Sequence, residues 1–276
     1  MARPAQSVSI DAAAYAGYLR TVSGRLRVDL AWENLRAFLP TKAQGRALDV
    51  GCGTGEIAVR LAELGFRVGA LDSDQGMLAE TQRAVAEAGL QASVSVVRSN
   101  AEELSNRFSS ASFDVIICHN LLEFTDRPFE ILQAIERLLA RSDEAVASII
   151  VRNRAGEVLS AAIRAGDLAM TEDNLTAAKV RGKLADQLMS VFTPAELRAM
   201  LADARLEVVA EYGVRVFTDY LPEQLVNDSA GYSRLLALEQ KLGKQPEFAA
   251  IARYTQVIAR PPGTCARLQD KRDEQH

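Results

Sequence analysis

Histidine is almost missing from this 276-residue sequence, which holds only His119 and His276. Imidazole chemistry in the body of the chain therefore rests on His119 alone. Cysteine is nearly as scarce. Cys52, Cys118 and Cys265 are widely spaced, which excludes a disulfide framework and any metal-ligand pattern. No run of about 18 apolar residues occurs, so no membrane-spanning helix is expected. The opening stretch MARPAQSVSIDAAAYAGYLR lacks the apolar centre of a signal peptide. Positive charge is not in excess either: the formal net charge of -4 argues against broad attraction to nucleic acid. No internal repeat is visible. These absences together indicate a cytoplasmic protein with no metal and no membrane partner.

What is present is an ordinary globular composition, 48% hydrophobic and 25% charged, in a length that suits one large domain over 1–276. The ends MARPAQS and DKRDEQH are expected to fray. Residues 11 to 38 read as helices, with Leu26, Leu30, Leu35 and Phe38 among the apolar positions. Then strands and helices alternate. RALDV, RVGALD, SVSVVRS, FDVIICH and EAVASIIV read as five strands. EIAVRLAEL, a segment with Met77, Leu78, Thr81 and Val85 on one face, and the run from Pro128 to Leu139 read as helices between them. The expected fold is α/β, a doubly wound and mostly parallel sheet with helices on both faces. Its ligand would lie outside the carboxyl ends of the strands.

Residues 154 to 192 break this rhythm. They show helical periods and no strand, so a helical insertion, acting as a substrate cap, is expected there. FTPAEL then opens a helix, with Thr193 as N-cap, Pro194 at the first helical position and Glu196 completing a capping box. AGYSRLLALEQKL reads as a further helix. RLEVVAEYGVRVF and IARYTQVIARP read as two late strands that finish the sheet with an antiparallel edge.

The segment ALDVGCGTGE joins a strand to a helix through glycines at 51, 53 and 55. Such a turn lets a ligand approach the backbone at an electropositive helix start. A dinucleotide fingerprint would place its third glycine where Glu56 stands, and a carboxylate there repels a pyrophosphate. LDVGCGTGE instead resembles the first motif of the class I methyltransferases that use S-adenosylmethionine, a family with a seven-stranded Rossmann-like sheet. By that resemblance Gly51, Cys52 and Gly53 would meet the methionine part of the cofactor. Asp72, ending the second strand, would accept hydrogen bonds from the ribose hydroxyls. In SNAEEL, Ala101 and Glu102 would meet the adenine. Asp49, inside the first strand, is read from its position as a half-buried brace for the glycine loop.

Four further blocks, SGRLRVDLAWENLRAFL, CHNLLEFTDRP, YGVRVFTDYLPE and ARYTQVIARPP, narrow the resemblance to bacterial methyltransferases that esterify 5-carboxymethoxyuridine at the tRNA wobble position. This implies that residues 11–40 form a helical lid, with Arg27 reaching the cofactor carboxylate and His119 beside the cofactor. A carboxylate acceptor is already ionised at neutral pH and needs a positive clamp, not a base. Arg215 and Arg253 are the candidate clamps, with Tyr220 and Tyr254 as donors. Arg152, Asn153 and Arg154 leave the fifth strand where substrate should lie. A hydroxyl or amine acceptor would instead use His119 as base. The insertion keeps only Lys179, Arg181 and Lys183 as basic residues in DNLTAAKVRGKLADQLMS. A small anionic metabolite, O- or N-methylated, therefore stands as the alternative to tRNA, and a non-catalytic cofactor-binding module as a third reading. Cys52 and Cys118 read as small buried hydrophobes.

Overall fold

The structure, a computed structural model, describes residues 11–41, 45–181, 188–222 and 228–263. MARPAQS and DKRDEQH, with Lys183, Cys265 and His276, lie outside the described residues. The chain opens with α1 (Ala12–Arg20) and α2 (Val22–Arg36). Asp11 caps the first and Thr21 the second, each accepting from backbone N–H groups of the opening turn. The alternating core follows: β1 (Arg46–Val50), α3 (Glu56–Glu63), β2 (Arg67–Asp72), α4 (Gln75–Glu87), β3 (Val94–Arg98), a short α5 (Leu104–Arg107), β4 (Val115–His119), α6 (Pro128–Leu138) and β5 (Val146–Arg152). β1, β4 and β5 are buried along nearly their whole length, as strands covered on both faces must be.

Beyond β5 come α7 (Arg154–Leu159), a π-helical turn over Ser160–Ala165, α8 (Leu168–Asn174), β6 (Lys179–Arg181) and β7 (Leu188–Ser190). The expectation of an insertion without strands is corrected here. β6 and β7 pair antiparallel as a separate two-stranded sheet, with Val180 opposite Met189. Each strand is three residues long and buries one side chain, so neither leaves a measurable alternation in the sequence. α9 (Pro194–Asp203) carries the capping box: Thr193 Oγ1 accepts from Glu196 N at 3.1 Å, and Thr193 N donates to Glu196 Oε2 at 2.7 Å. β8 (Glu207–Val214), α10 (Ser229–Gly243), α11 (Pro246–Ala249) and β9 (Tyr254–Arg260) complete the chain.

The seven-stranded sheet has the order β3-β2-β1-β4-β5-β9-β8. β9 runs antiparallel to both of its neighbours, β5 and β8. The antiparallel strand is therefore second from the edge, not at it, and the edge strand β8 runs parallel to β1–β5. Burial explains the choice. β9 is buried at every position but the last, which suits an interior place, while β8 is half-buried over its first six residues.

Helices cover both faces. α6 and α9 pack on one side against β1, β4 and β5. α2, α3 and α4 pack on the other. Leu26, Leu30 and Leu35 of α2 are fully buried, worth on the order of 5–9 kcal/mol together as an upper bound. α2 is thus a core helix, whereas α1 buries only Leu19. No helix among the described residues is long and apolar enough to cross a membrane.

Candidate active site

The carboxyl ends of β1, β2, β4 and β5 open onto one cavity of about 1050 Å³. Its first wall is the glycine loop. Gly51 N and Cys52 N donate to Leu71 O at 2.8 and 2.9 Å, which ties the loop to the end of β2. Gly55 caps α3 with φ +89°, and a Cβ there would stand 2.9 Å from Thr81 Cγ2, so conformation and space both require glycine. Asp72 accepts from Gly53 N through Oδ2 and from Asp74 N through Oδ1, each at 3.0 Å. Burial raises its pKa above the usual carboxylate value, so the group is partly stripped of water.

Gly51, Gly53, Asp72, Ala101 and Glu102 all line the cavity. Glu102 Oε1 already accepts from Thr125 Oγ1 at 2.8 Å. Cys52 does not line it; its thiol lies buried, 3.7 Å from Thr81 Oγ1. Burial pushes the Cys52 and Cys118 thiols up, so both are inert as nucleophiles. Asp49 is also buried. Its pKa rises to about 7 through desolvation first, then through Glu56 and Asp72, while the Ala58 N–H on α3 lowers it.

Arg27 enters from α2. Nη1 donates to Asn120 Oδ1 at 2.8 Å and Nη2 to Tyr15 OH at 2.6 Å. Asn120 takes φ +52°, a left-handed conformation that asparagine tolerates, and its Nδ2 donates to Glu123 Oε1 at 3.0 Å. Glu123 Oε1 also accepts from Arg152 N at 2.8 Å, while its Oε2 is sealed without a partner. One hydrogen-bonded chain thus joins α2 to the ends of β4 and β5. His119 sits beside it, close enough to feel the Arg27 charge. Desolvation and then the Arg27 guanidinium push its pKa down to about 3, so the ring is neutral at physiological pH. Its Nε2 lies 2.8 Å from Ser148 Oγ.

The far end of the cavity is an arginine cage around Tyr254. The guanidinium carbons of Arg152, Arg215 and Arg27 stand 5.4, 5.6 and 5.8 Å from the centre of the Tyr254 ring. Two carboxylates partly neutralise the cage. Glu157 Oε1 meets Arg152 Nη1 at 2.5 Å and Arg253 Nη2 at 3.1 Å. Asp219 pairs with Arg215 and lies 3.7 Å from Arg253 Nε. Arg253 Nη1 donates to Gly156 O, and Arg215 Nη1 to Tyr18 OH. Among the described residues, Arg164 on the π-turn is the cavity-lining arginine with no hydrogen bond or ion pair.

Burial alone would raise the Tyr254 pKa, but Arg152, Arg215, Arg27 and Arg253 outweigh it and bring it to about 8. The other five tyrosines are all pushed up. An absorbance titration should therefore show one tyrosine ionising near pH 8 and the rest above pH 10, with the early step lost in Tyr254→Phe. The cage favours phenolate, so an anion bound in it must oppose ionisation and move the step to higher pH. A titration with no step below pH 9 would contradict the cage geometry.

Of the residues singled out from sequence, Arg27, Gly51, Gly53, Asp72, Ala101, Glu102, His119, Arg152, Arg215, Arg253 and Tyr254 are brought together around one cavity. Three are not. Tyr220 stands outside the lining, on a 3-10 turn over Thr218–Tyr220. Asn153 is buried, donating to Ala250 O and Ala252 O at 2.9 Å while its Oδ1 caps α7. Arg154 is held by Glu196 and by Ala177 O. Tyr15, Tyr18, Asn120, Glu123, Glu157, Arg164 and Asp219 also line the cavity and were not singled out. Arg215 follows β8 with φ +61° and Asp219 lies on the 3-10 turn, so no helical spacing announces their pairing.

Comparison with known proteins supplies what geometry leaves open. A family described as methyltransferase domain matches residues 48–145, the stretch from β1 to the start of β5. The chain carries a methyltransferase domain and is an S-adenosylmethionine-dependent methyltransferase. A tRNA 5-carboxymethoxyuridine methyltransferase of Escherichia coli (strain K12) is 28% identical over 246 residues, covering 88% of this chain and 90% of that protein. An S-adenosylmethionine-dependent methyltransferase from Mesorhizobium loti superposes with a TM-score of 0.58 at 16% identity, covering 84% of this chain and 99% of that one. The [4+2]-cyclase SpnF superposes with a TM-score of 0.55 at 19% identity, covering 85% and 79%. The fold is therefore shared with an enzyme named for a different reaction, and the methyltransferase's acceptor must be argued from its own cavity. Among the described residues no group of three or more His, Cys, Asp or Glu side chains could hold a metal ion.

Proposed function

We propose that this methyltransferase esterifies a carboxylate, that of 5-carboxymethoxyuridine at the wobble position of tRNA. The observation that carries the reading is the arginine cage at the acceptor end of the cavity. The E. coli relative, matched over most of both chains, names the acceptor that fits. The residues suit the cofactor: a desolvated Asp72 keeps lone pairs for two hydroxyl donors, and Arg27 presents a cation above the glycine loop. Gly51, Gly53, Ala101, Glu102 and His119 complete that seat, while Cys52, its N–H spent on Leu71 O, stays behind the loop. Bound there, S-adenosylmethionine supplies an electrophilic methyl group on a sulfonium.

This chain's residues then have one main task, which is orientation. An ionised carboxylate needs no base, and His119, neutral and engaged at Nε2, offers none. Arg215, Arg253 and Arg152 are braced by Asp219 and Glu157, so they set a positive field. Arg164 keeps its whole donor edge and is the fork that grips the acceptor carboxylate in plane. The insertion over 154–192 caps the acceptor, and α1 is the movable part of the 11–40 lid.

Nucleoside mass spectrometry of tRNA from a gene-deletion strain tests the reading. The methyl ester of the wobble uridine should vanish, and an unchanged profile would remove tRNA as substrate. Arg164→Ala should raise KM for the acceptor roughly tenfold while leaving cofactor affinity unchanged, the scale of a hydrogen bond to a charged group. A KM within twofold of wild type would take the clamp away from Arg164. A small anionic metabolite is the second reading. Asp167 and Asp173 line the cavity beside Arg164, and Lys179 is paired with Asp126 at 3.3 Å, which weakens the attraction for a polyanion.

A further inference from the structure

We infer that Ser148 and Gln256 are positioning residues that hold His119 with its proton on Nδ1, which makes the end of β4 a fixed hydrogen-bond donor to an oxygen or nitrogen of the bound cofactor. The orientation can be followed from one buried group to the next. Asn34 Nδ2 can only donate, and it lies 2.9 Å from Gln256 Oε1. That contact fixes which way round the Gln256 amide stands. Gln256 Nε2 then has two hydrogens and two acceptors, Ala31 O at 3.0 Å and Ser148 Oγ at 2.9 Å. Ser148 Oγ is therefore already an acceptor, and its single O–H still needs a partner. Ser148 and Gln256 are fully buried, and the β5 backbone around Ser148 is paired with β4 and β9. The remaining partner is His119 Nε2, at 2.8 Å.

A proton on Nε2 would make Ser148 accept twice and leave its own hydrogen buried without an acceptor. That disfavours the Nε2–H tautomer, and the doubly protonated ring, by on the order of tenfold or more. The proton consequently sits on Nδ1. This nitrogen has no protein partner, is not sealed from its surroundings, and belongs to a side chain lining the cavity. The N–H it carries is thus offered to a ligand, beside Arg27 and Asn120. The tautomer is a property of the ligand-free protein, so its failure is separable from failure of the cofactor seat proposed above.

The chain has only two histidines, so His276→Ala leaves His119 as the sole ring in a long-range nitrogen-proton NMR spectrum. Between pH 6 and 8 the full-length protein should show Nδ1 protonated and Nε2 unprotonated. Ser148→Ala should release the ring into a mixture of tautomers and weaken S-adenosylhomocysteine binding by about tenfold. Gln256→Glu should turn the Ser148 hydroxyl toward the new carboxylate and drive the proton to Nε2. If that buried charge prevents folding, Ser148→Ala alone decides. Adding S-adenosylhomocysteine to the otherwise wild-type protein should shift the Nδ1–H resonance. A wild-type ring protonated on Nε2, a cationic ring at neutral pH, or a Ser148→Ala spectrum identical to wild type would overturn the assignment. An Nδ1–H resonance unmoved by saturating ligand would overturn the donor role.

Discussion

Arg215→Ala should destabilise the folded enzyme by about 3–5 kcal/mol, the cost of leaving a buried charge without its partner. The side chains of Arg215 and Asp219 are 5% and 2% exposed and pair directly. Asp219 is held in a layer with Arg253 and Glu157, and Arg215 also ties down Tyr18 at 2.6 Å. The sign of the pH dependence follows. Burial alone would raise the Asp219 pKa, but Arg215, Arg253 and Arg164 hold it below the usual value. In the wild type the stability from this pair is present above the unfolded carboxylate pKa and is lost as pH falls through the lower folded one. In the variant burial is less opposed, so the folded pKa rises. Stability should then decline as pH rises above the unfolded carboxylate pKa, over a range where the wild-type pair's contribution is constant. Urea unfolding at both ends of that range reads the effect, and adding Asp219→Asn should recover part of the loss. A single variant within 1 kcal/mol of wild type would show that the pair is solvated. A turnover assay of Arg215→Ala without this control would credit a folding defect to catalysis.

Arg215 and Arg253 were legible as arginines near the acceptor, because each lies beside a strand end that can be placed by periodicity. Their partners were not legible, because Glu157 reaches Arg253 across almost a hundred residues of chain. The glycine loop, the Thr193 capping box and the first five strands are local patterns, settled within a dozen residues, and each was readable. The position of β9 was not. Its pairing with β5 sets Arg152 against Tyr254, and nothing within either segment distinguishes an edge from an interior place. The same holds for Glu239, a fully buried residue of α10 that accepts from Val216 N, Phe217 N and Thr218 N and so fixes the turn after Arg215. In the helix it reads as one more surface charge. The His119–Ser148–Gln256 relay likewise joins three strands that only the folded sheet brings together.

On the proposed seat, Asp72→Ala should weaken binding of S-adenosylmethionine and its demethylated product by about 1.5–3 kcal/mol, roughly ten- to 150-fold. Each Asp72 oxygen already accepts one backbone N–H, from Gly53 or Asp74, and each has a further lone pair for a hydroxyl donor. Partial burial strengthens bonds made to the group, since water competes for it less well. Two effects combine in this variant: the direct bonds are lost, and the Gly53 N–H loses its brace. Unfolding separates them, because a loosened loop on the surface of a sheet this well buried should cost no more than about 1 kcal/mol of global stability. Glu102→Ala provides the graded comparison. Glu102 is exposed and already accepts from Thr125, so its removal should cost about 1 kcal/mol or less. Calorimetry with both ligands reads the order, wild type tightest, then Glu102→Ala, then Asp72→Ala, with NAD binding to none. If Asp72→Ala binds within twofold of wild type, the carboxylate is only a clasp for the glycine loop, and the ribose must lie elsewhere along the cavity.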